Sequence, residues 1–177
     1  MNYFQSFAIA LASLAFYSFS FADSGSDYRL DSGDQVKVTV FGHEDLSGAF
    51  EIDGSGRIAM PLIRYVQAKD LTATELEQSI TDKLKPDYLK DPKVSVEIQS
   101  NRPFYIIGEV NVPGSYSYVN GMSVVTAVAV AGGFTYRANK DEMIITRQEN
   151  DEKIKLEVGL DDTVKPGDII EIKERFF

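Results

Sequence analysis

A two-residue rhythm is the strongest constraint on how these 177 residues can fold. Residues 36–41 (VKVTVF) and 94–98 (VSVEI) put an apolar side chain at every second position. That is the period of a strand with one buried face. FYIIGEV (104–110) and PGDIIEI (166–172) read as further short strands bounded by glycine or proline. Helical spacing shows in two places. Thr72 and Glu75 stand at capping-box distance, where each side chain can satisfy the other's free backbone N–H. Ala73, Leu76, Ile80 and Leu84 follow as one apolar stripe, and Pro86 closes it. The second place is SVVTAVAVAGG (123–133), with Ser123 as an N-cap and Gly132-Gly133 as the terminator. Its β-branched residues make a poor isolated helix, so burial must hold it. Strands arranged around one helix in each half predict an α+β chain with antiparallel or mixed sheets.

Turn chemistry refines this. AFEIDGSGRIAMP (49–61) predicts a hairpin across residues 53–56, with Gly54 in the turn and Pro61 at the far end, and YVQA adds a short strand. Pro113 and Gly114 predict a turn between FYIIGEV and a partner strand SYSYV; Gly108 is a further turn and packing position. EMIITRQ and KIKLEV predict a hairpin around ENDE. One device appears twice: Gly33-Asp34 is followed by Val36, Val38 and Val40, and Gly167-Asp168 by Ile170 and Ile172. Glycine permits the sharp entry, and an aspartate can bond its own downstream N–H groups in an Asx-type turn. Local turn chemistry and internal kinship both account for the likeness. The polar stretch QSNRP (99–103) marks a boundary between two compact units.

Residues 1–22 carry no charged side chain and are apolar except for scattered polar residues, mostly serines, ending Ser20-Phe21-Ala22. Small residues at these positions fit a signal-peptidase site, and an uncleaved anchor is the alternative; both send the remainder out of the cytoplasm. The net charge of −9 argues against a nucleic-acid surface. Absence of cysteine excludes disulfides, thiolate metal sites and a lipid anchor on an N-terminal cysteine, and the single histidine, His43, removes most ordinary zinc sites.

Taken in order, these stretches resemble the bacterial polysaccharide export proteins of the outer membrane. YRLDSGDQVKVTVFGHEDLSG, IDGSGRIAMPLI, LTATELEQSI and DPKVSVEI match the family's export domain; FYIIGEVNVPGSYSYVNGMSVVTAVAVAGGF and KPGDIIEI match its soluble-ligand-binding β-grasp module. The resemblance implies a signal peptide at 1–22, a small mixed-sheet export domain with one helix at 23–100, and a β-grasp-like domain at 101–177. It implies a homo-oligomeric ring that guides polysaccharide passively across the periplasm, working with an inner-membrane co-polymerase or chain-length regulator. This sequence departs from larger members in lacking a lipidation cysteine, in having one β-grasp module, and in ending after the last strand. These departures favour docking to a separate outer-membrane protein. The alternative is a soluble periplasmic module that binds a glycan or small ligand.

No residue set predicts catalysis or a cofactor. Acid–base hydrolysis of sugars needs two carboxylates held across a cleft, and Glu44-Asp45, Asp141-Glu142 and Asp161-Asp162 read instead as a solvated acidic face. AVAVAGG is no phosphate loop, because its helix ends at the glycines where a phosphate site needs one to begin. Tyr105, Tyr116 and Tyr118 are candidates for a sugar-facing patch, with core packing as the competing role. Gly33, Asp34, Gly54, Pro61, Gly108, Pro113, Gly114, Gly132, Gly133, Gly167 and Asp168 are expected as turn and packing positions, not ligands.

Overall fold

The structure, a computed structural model, describes residues 28–149 and 152–175. The apolar leader and the tip of the ENDE turn at 150–151 lie outside them. Among the described residues the architecture is α+β, with three sheets and two α-helices. β1 (Gln35–Val40) is the centre of an antiparallel three-stranded sheet, between β2 (Gly48–Glu51) and β5 (Val94–Ser100). A small antiparallel pair, β3 (Arg57–Met60) and β4 (Arg64–Gln67), and helix α1 (Ala73–Leu84) complete the surroundings of the first core. Val36, Val38 and Val40 of β1 are all buried there, as the alternation requires.

Helix α1 forms as its sequence dictates. Thr72 Oγ1 accepts the Glu75 N–H at 3.2 Å and Glu75 Oε2 accepts the Thr72 N–H at 2.8 Å, completing the capping box. That bond from the Thr72 N–H is the main reason the Glu75 carboxyl is held below its ordinary pKa. Leu76, Ile80 and Leu84 are fully buried, and Ala73 packs partly against the same core.

The predicted hairpin across residues 53–56 is corrected: β2 pairs with β1, and β3 pairs with β4. The turn itself is present, but its geometry redirects the chain. Asp53 Oδ1 accepts the N–H groups of Ser55 (2.7 Å) and Arg57 (3.1 Å). Gly56, not Gly54, takes the positive φ, of 75°, and its carbonyl receives the N–H groups of Ala68 and Lys69. A Cβ on Gly56 would lie 2.5 Å from that of Lys69.

The second core is covered by a mixed five-stranded sheet in the order β7 (Gly114–Tyr116), β6 (Phe104–Gly108), β10 (Ile169–Glu174), β8 (Ala138–Glu149) and β9 (Glu152–Val158). β10 runs parallel to β6 and antiparallel to β8. Helix α2 (Val124–Val130) packs Val124, Ala127 and Val128 into this core. Ser123 occupies the N-cap position, yet its hydroxyl meets that of Thr126 at 3.2 Å and caps no backbone N–H. The other end is a Schellman closure: Gly132 N–H bonds Ala129 O and Gly133 N–H bonds Val128 O, both glycines having positive φ.

Residues 109–113 dock against that closure. Asn111 N–H reaches Gly133 O at 3.0 Å, Val112 N–H reaches Ala131 O at 2.9 Å, and the Asn111 amide reaches Gly132 O at 2.7 Å. Gly108 makes the approach to β10 on the other side. It has φ 86°, and an added Cβ would stand 2.1 Å from the Ile172 carbonyl oxygen. Replacing Gly108 by alanine is therefore expected to cost about 3 kcal/mol or more, combining positive-φ strain with a backbone clash. Gly54→Ala, where an added Cβ meets nothing within 4 Å, is expected to be near neutral. Urea unfolding of the two variants checks the contrast.

Candidate functional site

The two Gly-Asp turns meet the chain on either side of residues 102 and 103. In each, the aspartate N–H bonds the carbonyl three residues back, Asp34 to Asp31 at 3.1 Å and Asp168 to Lys165 at 3.2 Å. Gly33 has φ 90° and Gly167 has φ 83°, the third position of a type II turn in each case. The expected Asx direction is corrected, because both carboxylates reach backward. Asp34 Oδ2 accepts the Asp31 N–H at 2.9 Å, and Asp168 Oδ2 accepts the Lys165 N–H at 2.7 Å. Downstream N–H groups are committed to the strands that begin there. The likeness ends at the turn: the Asp34 carbonyl accepts the Ile52 N–H, just past the antiparallel neighbour β2, whereas the Asp168 carbonyl accepts the Tyr105 N–H of the parallel neighbour β6.

Both carboxylates are fully buried. Burying an ionised carboxylate is costly unless charge and hydrogen bonds compensate it. Asp34 is compensated by the Arg102 N–H on Oδ1 (2.8 Å), the Tyr28 hydroxyl on Oδ2 (2.6 Å) and Arg102 Nη1 at 3.4 Å. Asp168 is held in a fork by Arg147 Nε (2.8 Å) and Nη2 (2.7 Å). Those bonds raise the Arg147 pKa against the opposing effect of burial. Burial first, then the bond to Asp34, pushes the Tyr28 phenol above its ordinary value.

Arg102 joins the two turns. Its Cβ lies 3.5 Å from where a Cβ on Gly33 would stand, and its Nε only 2.7 Å from the corresponding point on Gly167. Gly167 N–H also bonds Pro103 O at 3.1 Å, and Tyr105 N–H bonds Asp168 O at 2.8 Å. The segment 99–103 is thus gripped from both sides. Beside it opens a cleft of about 830 Å³. Its lining includes Tyr28 and Arg102 together with Tyr118, Asn120, Glu149 and Lys165.

The structure divides the three candidate tyrosines. Tyr118 follows β7, which stops at Tyr116; it is half-buried, packs partly against the second core and also lines the cleft. Tyr116 packs on the second core, stacks on Phe104 with centroids 5.8 Å apart, and donates its hydroxyl to Val112 O. Tyr105 is on the opposite face of the sheet, 44% exposed, since it alternates with buried Phe104 and Ile106. The three acidic pairs are exposed, and among the described residues no group of three or more His, Asp or Glu side chains could hold a metal ion. Sequence reasoning missed Arg102 and Arg147. Arg147 carried a usable signal: it continues the core-facing series Met143, Ile145, where a cation requires a buried anion.

Two measurements test this node. Asp34→Asn and Asp168→Asn should each lose about 3 kcal/mol in urea unfolding, because each puts an amide N–H₂ among donors that need acceptors. Asp161→Asn, on the exposed surface, should change stability by less than about 0.5 kcal/mol. The raised Tyr28 pKa contributes stability that is whole below the ordinary phenol value of 10.0 and is lost as pH climbs above it. The Tyr28→Phe variant should show a shallower decline of stability above pH 10 than the parent, measured by unfolding across an alkaline pH series.

Comparison with known proteins agrees with this architecture. Residues 22–99 match the family model of polysaccharide biosynthesis/export proteins, and residues 103–156 match that of the SLBB domain. The exopolysaccharide production protein ExoF of Rhizobium meliloti (strain 1021) is 32% identical over 135 residues, covering 70% of this chain and 32% of its own. The polysialic acid transport protein KpsD of Escherichia coli is 27% identical over 154 residues, covering 82% of this chain and 27% of its own. The chain therefore spans about a third or less of the length of these relatives. Residues 22–99 thus belong to the polysaccharide biosynthesis/export family, with an SLBB domain following in series, and Asp34, Arg102 and Gly167 meet where one gives way to the other.

Proposed function

We propose that this protein is an exported component of a capsule or exopolysaccharide export conduit, acting in the periplasm in association with the outer membrane. Its parts on this reading are a signal peptide at 1–22, an export domain at 23–100 and a soluble-ligand-binding β-grasp domain at 101–177. The observation that carries the reading is the serial match to the export and SLBB family models, with a gripped junction between them. Copies assemble into a ring, and the ring provides a passive path; the driving energy comes from polymer synthesis and from an inner-membrane co-polymerase. A separate outer-membrane protein completes the passage.

Several features support a wall over an enzyme. The buried carboxylates are spent on arginines and backbone N–H groups and are closed to solvent, so neither is poised to take a proton from a substrate. Exposed apolar side chains, among them Phe41, Leu62, Tyr65 and Tyr88, give the surface contact area for other protein copies.

Deleting the gene should abolish or sharply reduce surface polysaccharide, and plasmid-borne protein should restore it. The purified protein, alone or with its membrane partner, should sediment as a closed oligomer. Normal surface glycan in the deletion strain would overturn the export role, and a strict monomer at every concentration with partner present would overturn the ring.

A further inference from the structure

We propose that the cleft beside Arg102 binds a carboxylate-bearing segment of the transported saccharide. This rests on the export reading for the saccharide and on the cleft itself for the acid. At about 830 Å³ the cleft falls within the roughly 300–1,000 Å³ typical of small-molecule sites. Its lining combines three chemistries that a sugar acid needs. Tyr28 and Tyr118 both bring aromatic surface to the lining, suited to the C–H faces of pyranose rings. Asn120 is exposed in the lining, and its amide makes no hydrogen bond among the described residues, so a donor and an acceptor are open to sugar hydroxyls.

The third chemistry is charge. The whole chain carries −9, yet this lining holds Arg29, Arg102 and Lys165 against one carboxylate, Glu149. Arg29 is bonded to the Asp70 carbonyl and to Glu75, and Arg102 is committed to Asp34 and Asp31. Lys165 is different. Among the described residues its ammonium has Glu149 alone, at 3.6 Å, an ion pair longer than a hydrogen bond, and its side chain is 58% exposed. A uronate-type carboxylate can accept an N–H of that ammonium, which Glu149 leaves without a hydrogen bond, while Arg102, also in the lining, adds longer-range attraction. The backbone of Lys165 is fixed by its N–H bond to Asp168, so the ammonium is presented from a held turn.

The test is calorimetric titration of the intact secreted protein with tetragalacturonic acid and with maltotetraose, a neutral oligomer of the same length. The acid should bind saturably with a Kd of about 1 mM or tighter, and at least about tenfold more tightly than the neutral sugar. Lys165→Glu should weaken acid binding about tenfold or more, and Lys153→Glu, on exposed β9, should leave it unchanged. Circular dichroism establishes that each variant is folded. No saturation by about 10 mM, or binding that Lys165→Glu leaves intact, overturns the site; equal affinity for the neutral sugar overturns the acid preference. Complementing the deletion strain in parallel separates the two readings. Restored surface polysaccharide with no acid binding removes the cleft proposal alone, whereas failure to restore it strikes at the export role.

Discussion

A buried carboxylate at the entrance to a strand is the interaction on which the rest of this structure depends. Asp34 is out of water, and four donors converge on it from Tyr28, Asp31 and Arg102, two of them from Arg102. The arrangement is conditional in both directions. The anion is tolerable only because those donors are there, and the donors stay in place only because the anion attracts them. One of the four is the backbone of residue 102, which lies 68 positions along the chain. A local turn is thereby converted into a long-range clamp. Asp168 repeats the chemistry with Arg147, and Gly167 leaves room for the Arg102 side chain that completes the first site.

This clamp gives the junction a defined geometry. Holding residues 99–103 from both sides fixes the backbone between the two matched segments and creates the cleft beside it. Charge is used economically there: the arginine that holds the junction also colours the cleft. The remaining described acidic side chains are exposed or half-buried.

Much of the fold was legible in the residues, and what escaped did so for physical reasons. The α1 capping box, its Leu76, Ile80 and Leu84 stripe, the glycine closure of α2 and the β8–β9 hairpin are all local, and local rules reached them. The partner of β2 was not local: alternation shows which face of a strand is buried but not which strand lies alongside, so the turn at Asp53 read as a hairpin when it passes the chain on to β3 and β4. The direction of the Asp34 and Asp168 bonds was hidden for a related reason. An aspartate can accept from N–H groups on either side, and the choice falls to whichever group the sheet leaves unpaired. Arg102 gave no sign beyond its place in a polar stretch, since its role exists only once two distant turns are brought together. In Tyr105 the alternation with Phe104 and Ile106 already separated it from Tyr116.

The position of β10 has a consequence for biogenesis. It follows every other strand of its sheet in sequence, yet it lies at the centre, hydrogen-bonded to β6 on one side and β8 on the other. Until it arrives, those two strands have no common neighbour, and Phe104, Ile106, Met143 and Ile145 have no shared roof. Completion of this sheet must wait for β10, and its pairing with β6 spans a long stretch of chain, which slows closure.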